Sequence, residues 1–192
     1  MCDLIKKEVT GFTLVELVAT VAILALLLKL AVPSFTGLIN DYRLNAYMGE
    51  FYDSISLARA GTAQDRDASV VVCASSSRTQ CDSDQWQKGW LVFLDKNNNR
   101  IYDAGVDVIL KAQSELVSSV QLFSYPTLNQ SKLVFNKHGQ INYAGAFVVC
   151  DHRGDTSAQA VIVSQAGYVR MAIDENNDSI VNVSQGVNVK CQ

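Results

Sequence analysis

The sequence predicts an α+β protein in which one long amino-terminal helix is followed by a mainly antiparallel β-sheet head. Three observations support this fold class. An almost continuous apolar run extends over residues 12–32, and helical periodicity continues beyond it to residue 62. From residue 69 onward, short β-type runs alternate with turn residues. No crossover helix of useful length lies between these runs, so we expect the strands to pair mostly antiparallel.

Composition and charge exclude several classes of protein. The chain has 192 residues, of which 48% are hydrophobic and 18% charged, so it is not a disordered or mainly polar protein. Its length suits one ordinary domain with its own core. The formal net charge of −3 argues against a generally basic nucleic-acid-binding protein, although it leaves room for a local basic patch.

The apolar run over residues 12–32 is interrupted by only four polar or charged residues. As a helix it would be about 30 Å long, which just suffices to cross a bilayer. A secretory signal peptide and a plain membrane anchor both fit Lys6 and Lys7, which precede the run. Neither explains Glu16, because a carboxylate inside an apolar span is costly unless it has a partner and a function.

The string GFTLVEL, residues 11–17, resembles the class III signal sequence of type IV prepilins and type II secretion pseudopilins. The resemblance implies that a prepilin peptidase cuts between Gly11 and Phe12 and methylates the new amino-terminal Phe12. It also implies that Glu16 serves filament assembly. Pro33 stands where the family often has a proline within the helix, and it is the expected helix kink.

Glu16 then has a physical role in the filament. After cleavage, Phe12 carries a positive amine that must enter an apolar filament core. A carboxylate from a neighbouring subunit offsets that charge, since two buried ions tolerate each other only as a pair. We therefore expect a Glu16→Ala variant to reach the membrane but not a filament.

Beyond Pro33 the apolar pattern remains helical but changes face. One stripe contains Phe35, Leu38, Ile39, Tyr42 and Ala46, and a nearly opposite stripe contains Leu44, Tyr47, Met48, Phe51, Ile55 and Ala58. The change predicts a continuous helix whose first half packs against other subunits or lipid and whose second half packs on its own head. A kink at Pro33 and Gly37 between two separate helices is the alternative.

The expected organisation has four segments. They are a leader at 1–11, a transmembrane and filament-core half-helix at 12–33, an amphipathic half-helix at 34–62, and a periplasmic β-rich head at 63–192. The candidate strands of the head are Ser69–Ala74, Gly89–Leu94, Val106–Lys111, Glu115–Tyr125, Lys132–Asn136, Ala146–Cys150, Ala158–Ser164 and Tyr168–Ile173, with one more between Ser179 and Val189.

The head resembles the GspH/FimT branch of the pilin superfamily. The stretches that carry this resemblance are Ala58-Arg59 through VVVC, then Cys81, Trp86, the string GWLVF at 89–93 and the pattern DxNxN at 95–99. The resemblance implies the pilin lollipop fold and a structural role without enzymatic activity, cofactor or small-molecule substrate. The expected function is that of a FimT- or FimU-type minor pilin, which helps to prime a type IV pilus and forms part of its tip complex.

Two other functions remain open for such a chain: a minor pseudopilin of a type II secretion system, and a pilus-associated DNA receptor for natural transformation. The implied partners are other minor pilins, the major pilin, the prepilin peptidase and the inner-membrane assembly platform. The implied location is the inner membrane, with a single pass and a periplasmic head, followed by incorporation into the filament of a Gram-negative bacterium.

Cysteine usage fits an oxidising compartment. Cys2 leaves with the leader, so the mature chain keeps four cysteines, and a periplasmic head allows disulfides to persist. Of the three possible connectivities, we favour Cys73–Cys81, which closes a tight polar loop, and Cys150–Cys191, which pins the carboxyl terminus to a central strand. A zinc site is the alternative, but neither a CxxC pair nor a nearby histidine supports it.

The stretch from Asp95 to Asp103 is the one candidate cation site. Asp95, Asn97, Asn99 and Asp103 offer oxygen atoms at spacings that resemble the first half of a calcium loop. Arg100 stands where such a loop needs glycine, and its twelfth position lacks glutamate. The alternative is a polar connection stabilised by its own Asn and Asp side chains. His138 and His152 lie in no catalytic or metal-binding pattern.

A direct contact with DNA is the last candidate. FimT-type members used in transformation carry a Gly-Arg-x-Arg motif late in the β region, whereas here the string from residue 167 to Arg170 is GYVR. Arg153, Lys137 and Lys190 could join Arg170, and Tyr168 could stack on a base. So few cations neutralise few phosphates, which predicts weak and salt-sensitive binding.

Overall fold

The structure is a computed structural model that describes residues 11–65, 67–125 and 131–191, with the side chains of 30–34 left out of the description. The chain divides into two compact units, Met1–Asn40 and Asp41–Gln192. Most of the predicted leader and its two lysines lie outside the described residues.

One helix, α1, extends over Leu14–Gly61 and includes Pro33. It begins after the non-helical Thr13 and ends at Gly61, where the Thr62 hydroxyl donates a hydrogen bond to the Arg59 carbonyl at 2.8 Å. The single helical assignment agrees with the expected continuous helix. The kink at Pro33 stays a prediction, because its side chain lies outside the description.

In the first unit, every residue from 11 to 29 is exposed. The sequence predicts that residues 12–33 cross a membrane. Exposed leucine, valine and isoleucine side chains between residues 14 and 28 occupy all sides of the helix. Over the part of the chain that the structure describes, no helix meets the length and apolarity needed for a membrane span.

The described residues of the second unit form ten strands, and all pairings assigned among them are antiparallel, as predicted. They are β1 Ser69–Ala74, β2 Trp90–Asp95, β3 Val108–Gln113, β4 Gln121–Ser124, β5 Lys132–Phe135, β6 Gly145–Cys150, β7 Gln159–Val163, β8 Val169–Met171, β9 Asn182–Ser184 and β10 Val187–Asn188. One sheet has the order β3-β2-β1-β5, a second has the order β4-β6-β7-β8, and β9 and β10 form a hairpin.

The carboxyl-terminal part of α1 packs on both four-stranded sheets, through the second predicted stripe. Leu44, Met48, Phe51, Ile55 and Ala58 are all buried, and Tyr47 is partly buried against the same core. The large side chains of the first stripe, including Tyr42, are exposed. The change of face that periodicity predicts is therefore present.

Phe51 lies at the centre of an aromatic cluster in this core. Its ring centroid lies 5.5 Å from that of Trp86, 5.1 Å from that of Trp90 and 4.6 Å from that of Phe147. Trp90 also donates a hydrogen bond from Nε1 to the Ser54 hydroxyl at 2.9 Å, so its polar atom is satisfied inside the core. These contacts tie α1 to residues from both sheets.

The carboxyl-terminal segment covers the face of the second sheet that points away from α1. Alternation along β6 places Phe147 and Val149 toward the helix and Ala146, Val148 and Cys150 on the opposite face. Val183 and Val189 pack on that opposite face. The second sheet is therefore buried on both sides.

The predicted range Tyr168–Ile173 forms a strand only at Val169–Met171, and the single strand expected between Ser179 and Val189 is the β9–β10 hairpin. The largest error is the predicted strand Glu115–Tyr125, which is wrong over more than half of its length. The structure forms β4 only at Gln121–Ser124, whereas Glu115–Tyr125 is the predicted range. The Leu116 amide donates to the Gln87 carbonyl and the Val120 amide to that of Val117, both at 2.9 Å. Buried Leu116 is thus held by a long-range hydrogen bond and buried Val120 by a turn, and neither belongs to a β-ladder.

Candidate functional site

The predicted cleavage site precedes the helix. Gly11, Phe12 and Thr13 are non-helical, and Phe12 is 86% exposed. Among the described residues, which begin at Gly11, no atom lies within 4 Å of where a Cβ on Gly11 would be. The predicted scissile bond thus lies in irregular backbone ahead of α1.

Thr13 and Glu16 form a capping box at the start of α1. The Thr13 amide and hydroxyl donate to Glu16 Oε2 at 2.9 and 2.8 Å, and the Glu16 amide donates to the Thr13 hydroxyl at 3.3 Å. These bonds satisfy amides that the first helical turn cannot pair itself. Thr13 belongs to the signal-sequence string, but its role as a helix cap was not predicted, although the T-x-x-E spacing is the known signal for this cap. Both bonds to the carboxylate use Oε2, so Oε1 can accept from another donor.

The two predicted disulfides are confirmed. Cys73 and Cys81 are bonded with their Cα atoms 5.6 Å apart, and Cys150 and Cys191 with theirs 6.0 Å apart. The Cys191 amide also donates to Asp155 Oδ1 at 2.7 Å, so the terminal segment is held by a hydrogen bond beside the disulfide.

The candidate calcium residues come together, but they serve the loop itself. Buried Asp95 accepts hydrogen bonds from the Asn99 amide at 3.3 Å and the Arg100 amide at 2.8 Å. Asn97 and Asn99 donate to Asp103 Oδ2 at 2.7 and 2.6 Å, and they lower the pKa of the Asp103 carboxyl below its ordinary value. Among the residues that the structure describes, no group of three or more His, Cys, Asp or Glu side chains could hold a metal.

The candidate DNA-binding cations differ in their surroundings. Arg153 contacts two carboxylates, Asp41 through Nη1 and Asp151 through Nη2 and Nε. Arg170 on β8 lies 3.9 Å from Glu175, and Lys190 follows β10 on the surface. Arg153 is thus already neutralised within the head, and the charge that it would offer to a phosphate is offset.

Tyr168 lies against Arg59 at the end of α1. The Arg59 Cζ atom is 3.9 Å from the centroid of the Tyr168 ring, which is a cation–π distance. Both residues line a cleft of about 430 Å³ together with Tyr52, Ser56 and His138. Sequence analysis did not single out Arg59 as a site residue, because no local signal links it to a residue so far along the chain.

Comparisons with known proteins give one family and one fold. Residues 48–167 match the family model described as type II transport protein GspH. Two crystal forms of the type IV minor pilin FimU of Pseudomonas aeruginosa match with a TM-score of 0.52. They are 15% and 14% identical, and the matches cover 68% of this chain and 88% and 93% of theirs.

A further solved structure, the minor pseudopilin EpsH of the Vibrio cholerae type 2 secretion system, has a TM-score of 0.47 at 10% identity. That match covers 67% of this chain and 95% of EpsH. No curated protein sequence matches the chain. At these identities, the likeness to FimU concerns the fold alone.

Proposed function

The chain belongs to the GspH family of minor pilins and pseudopilins, and on that premise we propose that it is a minor pilin of a type IV pilus. In this role it helps to prime assembly and forms part of the tip complex. Members of the family are structural subunits that interact with other pilins in a pilus or pseudopilus, so the proposed partners are other minor pilins and the major pilin. The prepilin peptidase and the inner-membrane assembly platform are the further proposed partners.

The observation that carries this proposal is the exposed apolar surface of the first half of α1. Ten large apolar side chains between Leu14 and Leu28 are more than half exposed. Covering them is worth on the order of 10 kcal/mol, because burying one such side chain contributes about 1.5–3 kcal/mol. Lipid covers such a surface before assembly and neighbouring helices cover it afterwards, which is what a subunit extracted from a membrane into a filament requires.

The charged groups at the amino terminus also support the proposal. Cleavage after Gly11 leaves a positive Phe12 amine next to the first turn of α1. The Glu16 carboxylate, with Oε1 not used by the capping box, can accept from the amine of a neighbouring subunit. We propose that this pair registers one subunit on the next, with the protein first held in the inner membrane and its head in the periplasm.

A minor pseudopilin of a type II secretion system is the second candidate function. It is favoured by the description of the matching family model, which names type II transport. Both functions use the same anchor, capping box and head. They differ in the filament that takes up the subunit, which is a type IV pilus in one case and a type II secretion pseudopilus in the other.

The test is a deletion strain in which surface filaments are sheared and the major pilin is quantified by blotting. Strongly reduced pili, restored by the wild-type chain in trans, support the priming role. Wild-type pili together with lost exoprotein secretion contradict it and favour the pseudopilin. The deletion strain complemented with the Glu16→Ala variant is the control for expression. We expect this variant to be present in the membrane but absent from sheared filaments.

A further inference from the structure

Arg59 in the last turn of α1 has a guanidinium group with no anionic partner among the described residues. Its Nε is buried without a hydrogen-bond partner, and its Cζ lies over the Tyr168 ring. Stacking on a ring does not use the N–H donors of the guanidinium, because they lie in the guanidinium plane. The Tyr168 contact therefore leaves the positive charge of Arg59 without an anionic partner among the described residues.

The polar side chains that line the cleft around Arg59 are basic or neutral. Tyr52, Ser56 and Tyr168 line it with hydroxyl groups, and His138 adds an imidazole. Within the described ranges, no aspartate or glutamate lines the cleft. With a volume of about 430 Å³, it admits a side chain or a small anion. The cleft therefore offers one fixed cation and several hydroxyl groups to a ligand that must bring the negative charge.

The wall of the cleft is built by two turns in close contact. Gly167 has a φ of +77°, and a Cβ at this position would lie 1.8 Å from the Gly139 carbonyl oxygen. No residue other than glycine fits there without displacing backbone. This contact holds the turn between β7 and β8, with Tyr168, against the turn that contains Gly139. Both turns border the Arg59 side chain, because a Cβ on Gly139 would lie 3.3 Å from Arg59 Cγ and one on Gly167 would lie 3.4 Å from Arg59 Cδ. Arg59 and Tyr168 are thus positioned before any ligand arrives.

We propose that this cleft binds a carboxylate side chain of a neighbouring pilin subunit, with Arg59 as the anchoring residue. An arginine accepts a carboxylate through two parallel hydrogen bonds, and such pairs are frequent energetic centres of interfaces. The identity of the neighbour as a pilin rests on the proposed function, whereas the preference for a carboxylate rests on the cleft.

Charge favours a protein carboxylate over the phosphates of DNA. Binding to a nucleic acid backbone depends on several cations that act together. Here Arg153 is paired with Asp41 and Asp151, and Arg170 lies near Glu175. The whole chain has a net charge of −3, and the cleft contains Arg59 as its one arginine, so it suits a single carboxylate better than a polyanion.

The first test titrates the full-length chain in detergent micelles and follows the Arg59 Nε–Hε signal by NMR. The probe is glutamate blocked at both ends, with blocked glutamine as the neutral control and inorganic phosphate as the rival anion. We expect a saturable shift with blocked glutamate only. The absence of a saturable shift overturns the proposal, and tighter binding of phosphate reassigns the cleft to a phosphate ligand.

Two variants and a matched control sharpen this test. Arg59→Lys keeps the charge but loses the paired donors, so we expect at least tenfold weaker binding of blocked glutamate, followed through the Tyr168 ring signals. Tyr168→Leu removes the ring and should also weaken binding, with Arg59 intact. Arg43→Lys makes the same change at an exposed position on α1 and should bind like the wild type. Equal binding by the Arg59→Lys and Arg43→Lys variants contradicts the role of Arg59.

The second test asks whether the carboxylate belongs to another subunit. We expect several-fold less Arg59→Lys than Arg43→Lys variant in sheared filaments at equal expression. Normal incorporation of the Arg59→Lys variant, despite lost glutamate binding, overturns the assignment to a neighbouring subunit. If deletion of the chain leaves piliation intact, the proposed function fails, whereas the NMR titration still decides what the cleft binds.

Discussion

Removing the Cys150–Cys191 disulfide should destabilise the head more than removing Cys73–Cys81. The two bonds close loops with sequence separations of 41 and 8, for which chain entropy gives about 4 and about 2.5 kcal/mol. The difference in the free energy of unfolding is therefore about 1.5 kcal/mol. Loss of the longer loop also frees the segment that carries Val183 and Val189, which adds to its cost.

The comparison is matched, because each disulfide joins one buried cysteine, Cys73 or Cys150, to one half-buried cysteine. Replacing both members of a pair by alanine thus removes similar packing in the two variants. Urea unfolding of the full chain in detergent, followed by the fluorescence of buried Trp86 and Trp90, measures the two losses. A Cys73→Ala/Cys81→Ala variant that is destabilised as much as the other pair would refute the reasoning from loop length.

Three further changes test the core, the surface electrostatics and the amino terminus. Ser54→Ala leaves the buried Trp90 Nε1 without an acceptor and should cost about 1–3 kcal/mol of unfolding free energy in the same urea assay. Burial raises the pKa of Asp151, but hydrogen bonds from Arg153 outweigh it and hold the pKa below its ordinary value. That carboxylate therefore stabilises the head above about pH 4 and loses its contribution as pH falls through the lowered pKa. Asp151→Asn should reduce the stability at pH 6 and flatten its decline toward pH 3, and an unchanged decline would contradict this assignment. Glu16→Gln keeps a capping box but not the charge, so sheared filaments should contain at least about tenfold less of it than of the wild type. Normal incorporation would show that Glu16 acts as a helix cap only.

Periodicity predicted the elements that have one buried face. The buried stripe of α1 contains Phe51 as expected, because a repeat of 3.6 residues reports directly on burial. Strand β1 is also found over the predicted range, but it is buried on both faces, and a short continuous apolar run predicted it rather than an alternation. The error at Glu115–Tyr125 has the same origin. Leu116 and Val120 are buried, but a bond to the Gln87 carbonyl holds the first and a turn holds the second, and apolar spacing alone does not distinguish a buried irregular segment from a strand.

The candidate site residues that could be proposed from the sequence are those whose signal is a short continuous string or a residue count. The string around Gly11 and Glu16 is continuous, and the cysteine count limits the pairings to three. The same oxygen-rich spacing around Asp95 serves a cation site or a self-bonded loop, and only the direction of the backbone amides decides between them. The contact of Arg59 with Tyr168 depends on how α1 docks beside the β7–β8 turn, which no local pattern encodes.

If the chain is a processed subunit of a filament, its amino terminus records the processing. The measurement that shows this most directly is the mass of its amino-terminal peptide in protein recovered from sheared surface filaments. We expect a peptide that begins with N-methylated Phe12. A filament-borne chain that still begins at Met1, or the absence of the chain from purified filaments, would contradict it.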